Sequence, residues 1–327
     1  MKKNIAVMTG GDAAEAGISL KSAQVVYENL SKEKYNPYKI VITGNDWILE
    51  TQDGTTILID KNDFSFTQNG TKTKFDAVFM AIHGTPAEDG KLQGYLDLMG
   101  IPYNCCGVLQ AALTFDKSKT KEYLSPFGIL SAKALSGSIK ENRTDLIANV
   151  NAQLQYPLFV KPNQNGSSYG ASKVSTADEL AAAIDLGFQY DTEILIEEFI
   201  AGTEVTCGVL TYQGKVTAMP ITEIRSKSSF FDYKAKYEGD SQEITPAEID
   251  ETIAKEIQKT AVFIYQKLAF KGMCRIDFII RENQFYMLEV NSIPGISPAS
   301  IFPQQAKVFG LSIGELFDCT IEECLKK

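Results

Sequence analysis

Between Cys274 and Gly295 the chain reads CRIDFIIRENQFYMLEVNSIPG, and this stretch limits the fold more tightly than any other. Two apolar runs, residues 276–280 and 285–290, flank the polar residues 281–284, a pattern that predicts a β-hairpin. Side chains on a strand alternate between faces. Arg275 and Asp277 therefore share one face of the first strand, and Glu289 and Asn291 share one face of the second. A loop with an odd number of residues, such as 282–284, places Asp277 opposite Glu289 and Arg275 opposite Asn291.

Two carboxylates and an amide oxygen then gather on one sheet face. They are either solvated, as on the wet face of an ordinary antiparallel sheet, or they surround a cation. Oxygen-only ligands suit Mg²⁺, which takes one or two carboxylates and leaves its other positions to water and substrate phosphates. The second reading implies a nucleotide.

At 327 residues the chain exceeds one small core, and a prior of ~150 residues per domain predicts two or three domains. No apolar run approaches the ~20 residues needed to cross a bilayer. The apolar residues 5–8 after the opening Met-Lys-Lys-Asn are too few for a signal peptide, so a cytoplasmic location is expected. A formal charge of -9 argues against nucleic acid as a partner, because phosphate backbones are bound by basic surface. The six cysteines include no Cys-x-x-Cys pair, which predicts reduced, buried thiols and no zinc site.

In chain order, residues 4–8 predict a strand that runs through Thr9-Gly10-Gly11 into a helix over 15–30. The glycine spacing matches neither a dinucleotide fingerprint nor a P-loop. Glu15 falls in the first helical turn, where the helix dipole favours an acid whatever its role. Strands over 38–43 and 76–82 and a helix over 91–99 complete a small α/β domain ending near Cys105. His83, the only histidine, follows the second of these strands, and ligand sites in such sheets lie at strand carboxyl ends. A helical connection carrying Lys117 is expected over 107–124, and a mobile surface link over 131–143.

The pattern then restarts, with a helix over 144–154, a strand over 158–160 ending at Lys161, a polar loop over 163–170, a strand through 173–174, a helix over 176–186 and a strand over 193–196. Small residues beside a lysine make the loop either a phosphate cradle or an ordinary hairpin loop. It spells G-x-S-x-G at 166–170. That motif is no nucleophile elbow, because a strand follows it and the histidine precedes it. Glu197, Glu198, Phe199, Ile200 and Glu204 bring acids and apolar groups together at a strand end, suiting adenine and ribose or a solvated hinge. Strands over 204–211 and 215–222 lead into an aperiodic segment, 225–245, of a length that makes it a lid or a disordered loop, and its tyrosines and lysines favour the lid. Helices over 246–268, 304–309 and 313–325 complete the chain.

As a set, these residues resemble the D-alanine–D-alanine ligase family of the ATP-grasp superfamily, across essentially the whole chain. The resemblance rests on Gly10-Gly11 with Glu15, His83-Gly84 with residues 88–90 and Gln93-Gly94, and Phe115-Asp116-Lys117. It also rests on Val160-Lys161-Pro162 with Gly166-Ser167-Ser168, the lid residues 233–237, Arg275-Ile276-Asp277, and Glu289-Val290-Asn291 with Pro294-Gly295. The implied fold is α/β (α+β ATP-grasp): a small N-terminal parallel-sheet α/β domain over 1–105, then α+β subdomains over 106–199 and 200–327 that clasp ATP. The implied reaction is phosphorylation of one D-alanine by ATP, followed by attack of a second D-alanine through its amine, for peptidoglycan precursors. A homodimer is implied as well.

The family pattern gives two Mg²⁺ or Mn²⁺ ions to Asp277, Glu289 and Asn291, and phosphates to Lys117, Lys161 and Lys236. Adenine goes to Glu197, Glu198, Phe199 and Ile200, and ribose to Glu204. Glu15 would bind the first substrate's ammonium with His83 nearby, and Ser300 the second substrate's carboxylate. Arg275 and the backbone N–H of Gly295 would stabilise the tetrahedral oxyanion, while Ser167 and Tyr237 would link Glu15 to the lid. A tyrosine at the position of Tyr237 goes with amine acceptors, which favours the dipeptide over a D-lactate depsipeptide. Ligation of D-serine and a non-catalytic ATP-binding role are the rival readings. The chain departs from the pattern at Ala16-Gly17, where an arginine and a second acid are usual, and at Ser297-Pro298-Ala299. These departures bear on substrate affinity and the second subsite, not on the reaction class.

Overall fold

The structure, a computed structural model, describes residues 1–12, 15–51, 53–166, 169–226 and 241–326. Strand Lys3–Gly10 is buried along six consecutive residues, the pattern of a parallel strand covered on both faces. It pairs in parallel with Tyr35–Thr43 and with Ala77–Met80. The expected parallel sheet is thus present at its centre, and the antiparallel strands Asp46–Glu50 and Thr56–Leu58 extend one edge. Alternation divides its side chains between two cores. Ile5, Val7 and Phe79 pack with Val26 of helix Ala16–Asn29 and with Leu316, Phe317 and Ile321 of helix Ile313–Leu325. Ala6, Met8 and Met80 pack instead with Leu92 and Leu96 of helix Lys91–Met99 and with Phe64 and Phe66.

The helical connection expected over 107–124 consists of two helices, Val108–Phe115 and Lys117–Leu124. Asp116 separates them with an extended ψ of 100°, and its side chain caps the second helix by accepting from the Lys119 N–H at 2.9 Å. The segment 131–143, expected as a mobile link, holds strand Ala134–Ser138, which pairs with Glu193–Glu198. Its small, polar sequence ALSGS carries little strand signal because it lies at a sheet edge. Glu193–Glu198 pairs on its other side with Leu158–Pro162, and that strand with Ser172–Val174, all antiparallel. Helices Arg143–Gln153 and Ala177–Gly187 supply the apolar cover.

The third sheet centres on Thr203–Tyr212 and Met273–Arg281. The strand expected over 215–222 ends at Ala218 and a new one, Thr222–Ser226, starts beyond Pro220, which has no N–H for a ladder. Thr222–Ser226 pairs with Ser241–Ile244. The lid expected over 225–245 therefore begins and ends in paired strands, and residues 227–240 lie outside the described residues. Helix Glu251–Lys267 starts later than expected, capped by Asp250. All six cysteines are free, and no helix among the described residues is long and apolar enough to cross a membrane.

Candidate active site

Strands Met273–Arg281 and Gln284–Asn291 form the expected hairpin. Its turn is not the three-residue loop used above. Arg281 pairs with Gln284, leaving Glu282-Asn283 as the turn, with Glu282 at a φ of +57°. A β-bulge at Asp277/Phe278 then skips Leu288, so that Asp277 faces Glu289 and Arg275 faces Asn291. The four expected residues converge, through the bulge and not through the turn. The extra residue has a second effect: Leu288 and Glu289, neighbours in sequence, both line one cleft together with Arg275, Asp277 and Ile279.

That cleft lies between the second and third sheets. Its opposite wall carries Lys161, Glu197, Glu198, Phe199 and Ile200, with Lys117 from the helix Lys117–Leu124. Glu204 and Ile224, opposite each other in the third sheet, line it too. The resemblance assigned these residues to ATP, and the fold brings them to one place.

Asp277 accepts four hydrogen bonds from three residues. Arg275 donates to it bidentately, Nε to Oδ1 and Nη2 to Oδ2, both at 2.9 Å. The Asn291 Nδ2 donates to Oδ2 at 2.9 Å, and the Thr206 hydroxyl donates to Oδ1. Burial opposes the charge on Arg275, but Asp277 outweighs it and raises the guanidinium pKa above its usual value. Glu289 lies 3.5 Å from the Lys117 ammonium, which also donates to the Asn165 carbonyl at 2.6 Å. Beside them Glu88 shares a small pocket with Lys117, Glu289 and Asn291. Burial, then the charge of Glu15, pushes the Glu88 carboxyl up to about 8.

Glu15 is buried at the start of helix Ala16–Asn29, and Gly166 lies directly over its carboxylate. A Cβ at Gly166 would come within 2.8 Å of both oxygens, so a side chain there would collide with the acid. His83 is buried, and both ring nitrogens are engaged: Nδ1 with the Ile293 carbonyl at 3.1 Å and Nε2 with the Ser22 hydroxyl at 3.0 Å. The carbonyl can only accept, which makes Nδ1 the donor and Nε2 the acceptor of a neutral imidazole. Burial lowers the His83 pKa and agrees with that form. His83 thereby ties the first helix to the loop before Gly295. Ser300 occupies the N-cap position of helix Ile301–Phe309 without a side-chain capping bond, and its hydroxyl stands 2.8 Å from the Ser297 hydroxyl, against Gly295.

Four residues at the site escaped the sequence reading. Glu88 appeared there only within a motif; Thr206, Leu288 and Lys121 fell within expected elements and were given no role. Lys121 follows Lys117 by one helical turn, and that i, i+4 spacing was the available signal. Ser167, Lys236 and Tyr237 lie outside the described residues.

Two antiparallel sheets that close on a cleft, lysines on one wall and an opposed Asp–Glu pair on the other, define an ATP-grasp ligase. The D-ala D-ala ligase N-terminus family matches residues 4–106, and the D-ala D-ala ligase C-terminus family matches residues 129–322. The chain belongs to the D-alanine–D-alanine ligase family.

Among its relatives, the D-alanine–D-alanine ligase of Flavobacterium johnsoniae is 47% identical over 320 residues, covering 98% of both chains. That of Christiangramia forsetii is 45% identical over 329 residues, covering 100% of both. Among solved structures, the VanG D-Ala:D-Ser ligase of Enterococcus faecalis is 35% identical with a TM-score of 0.88, covering 98% of this chain and 99% of that one. The Bacillus anthracis D-alanine–D-alanine ligase complexed with ATP is 27% identical with a TM-score of 0.78, covering 99% and 98%.

Proposed function

We propose that this chain joins two D-alanines into D-alanyl-D-alanine at the expense of ATP, for peptidoglycan precursors. The observation that carries the reading is the cleft itself, where the opposed Asp277 and Glu289 stand across from Lys161 and the adenine-type wall of Glu197 to Ile200. A carboxylate oxygen is a poor leaving group. Phosphoryl transfer from ATP to the first D-alanine makes it a good one, and the amine of the second D-alanine then displaces phosphate from the acyl phosphate. Lys117, Lys161 and Lys236 neutralise the phosphates, and Glu204 receives the ribose. Glu15, with His83 behind it, receives the first ammonium, and Ser300 the second carboxylate. Arg275 and the Gly295 N–H meet the oxyanion of the tetrahedral intermediate. Ser167 and Tyr237 couple Glu15 to the lid.

The donor set at the hairpin suits Mg²⁺ or Mn²⁺, since Asp277, Glu289 and Asn291 offer only hard oxygens. Two such ions, held there, would supply charge neutralisation at the transferring phosphoryl group. Asn291 now gives its N–H to Asp277, and presenting its oxygen instead would release a lone pair of Asp277 as well. We also infer division of the chain at about 105 and 199, a homodimer, and the cytoplasm as the compartment that supplies ATP. Exposed Leu98 and Leu109, on the contacting helices Lys91–Met99 and Val108–Phe115, are apolar surface of the kind a second copy would cover.

The test is phosphate release from Mg-ATP with D-alanine, with L-alanine, and with D-alanine plus D-serine or D-lactate, products identified by mass. A dipeptide from D-alanine alone supports the reading. A mixed product with D-serine would reassign the acceptor to that of the VanG relative. No release with any pair would leave only nucleotide binding.

A further inference from the structure

At the nucleotide wall stands a group of three charges, two of them buried. Glu197, on strand Glu193–Glu198, is 3% exposed, and two lysines contact its carboxylate. The Lys161 ammonium is 2.6 Å from Oε2, and the Lys121 ammonium contacts Oε1. Lys161 lines the cleft and Lys121 does not. Lys121 is 7% exposed, held beneath the site by the helix that also presents Lys117 to it. One buried carboxylate is neutralised by one ammonium. Here two ammoniums meet that one carboxylate, and burying Lys121 among them is an expensive arrangement for the fold alone, offset in part by the charge of Glu289. Burial, and next the charge of Lys161, drive the Lys121 pKa well below its usual value. The Glu197 carboxylate in contact with Lys121 favours the ammonium form, and the opposition of Lys161 would ease if Lys161 moved away.

We propose that Lys121 is the standing counter-charge of Glu197, which lets Lys161 swing from that carboxylate to a nucleotide phosphate without stranding Glu197. Phosphate and Glu197 would otherwise compete for one lysine. With Lys121 in place the carboxylate stays paired and aimed at the adenine end of the cleft, and Lys161 is released to the phosphates. Lys121 is a positioning residue, since it reaches the nucleotide only through Glu197 and Lys161. The inference deepens the ATP reading of this cleft and rests on it.

The experiment is calorimetric titration of the full chain with ATP and, separately, with adenosine, in the absence of D-alanine. In Lys121→Met, Lys161 stays locked to Glu197. ATP affinity is then expected to fall by about 10-fold or more, while adenosine, which has no phosphate to lose, stays within about 3-fold. Lys121→Arg restores ATP affinity. In a cycle with Lys161→Met, the two losses are not additive, because both remove the same phosphate contact. Should Lys121→Met fail to fold, Lys121→Gln is measured in its place. Unchanged ATP affinity, or equal losses for ATP and adenosine, would overturn the proposal, the second result making Lys121 a support of the adenine wall only. A wild-type chain that bound no ATP would remove the nucleotide reading itself, and this proposal with it.

Discussion

Asp277 and Glu289 face each other across adjacent antiparallel strands because Leu288 steps out of the ladder between them. With the two-residue turn and no bulge, Asp277 would face Leu288, and Glu289 would face Ile276 on the buried side of the sheet. One extra residue thus decides whether the hairpin carries a pair of opposed acids or none.

The same residue puts an apolar side chain on the cleft surface beside Glu289. Leu288→Ala is expected to weaken ATP binding roughly 5-fold, or about 1 kcal/mol, through lost apolar contact. Because Leu288 is half-buried, the melting temperature should stay nearly constant. Titration with ATP and a thermal melt check both halves, and a large drop in melting temperature with unchanged affinity would place Leu288 in the core instead.

Glu289→Gln keeps the shape of the side chain and removes its charge. Turnover at limiting Mg²⁺ is expected to fall on the order of 10²-fold, with the melting temperature within about 2 °C of the parent. The quantity to follow is the Mg²⁺ concentration that gives half-maximal rate. No change in it would sink the metal assignment of Glu289.

Arg275→Ala should behave differently, because it leaves the buried Asp277 without its bidentate partner. A loss of about 3 kcal/mol in stability is expected beside a turnover loss on the order of 10²-fold. Adding Asp277→Asn should recover much of the stability and none of the turnover. If stability returned and rate returned with it, Arg275 would be structural.

His83 is the only histidine, so its contribution to pH dependence can be isolated by difference. Its folded pKa lies below the unfolded value of about 6.5, so below that pH the unfolded chain binds a proton that the folded imidazole refuses. Stability therefore falls as pH drops from about 6.5 towards the folded pKa, by up to about 1.4 kcal/mol per pH unit. Glu88, held near 8, acts with the opposite sign: its stabilisation is complete below about 4.5 and is lost as pH rises through 8. Subtracting the urea-unfolding curve of His83→Gln from that of the parent isolates the histidine part. A flat difference between pH 5 and 7 would mean that His83 titrates normally.

How much of this was written in the sequence depends on whether a signal was periodic. The alternation of Arg275, Asp277, Glu289 and Asn291 announced the hairpin and its convergent face, because a strand has a period of two. The bulge that achieves it was invisible, since an extra residue in an apolar run looks like one more apolar residue. Lys121 was missed for a related reason. In the run KSKTKE it reads as a solvated helix face, and only the packing of that helix beneath Glu197 makes it buried. Strand Ala134–Ser138 had too little apolar character to announce itself, because its place in the sheet comes from the backbone ladder with Glu193–Glu198.

The packing of helix Ile313–Leu325 against the first sheet, with Phe317 and Phe79 edge to face at 5.3 Å, bears on how the molecule is made. Translation proceeds at about 5–20 residues per second, so strand Lys3–Gly10 leaves the ribosome tens of seconds at most before the helix that completes its core. For all of that interval one face of the sheet has helix Ala16–Asn29 as cover but lacks helix Ile313–Leu325. The domain synthesised first is the domain finished last, and a chain cut short before Leu316 would expose Ile5, Val7 and Phe79 as a sticky surface, marking the incomplete product for chaperones or proteolysis.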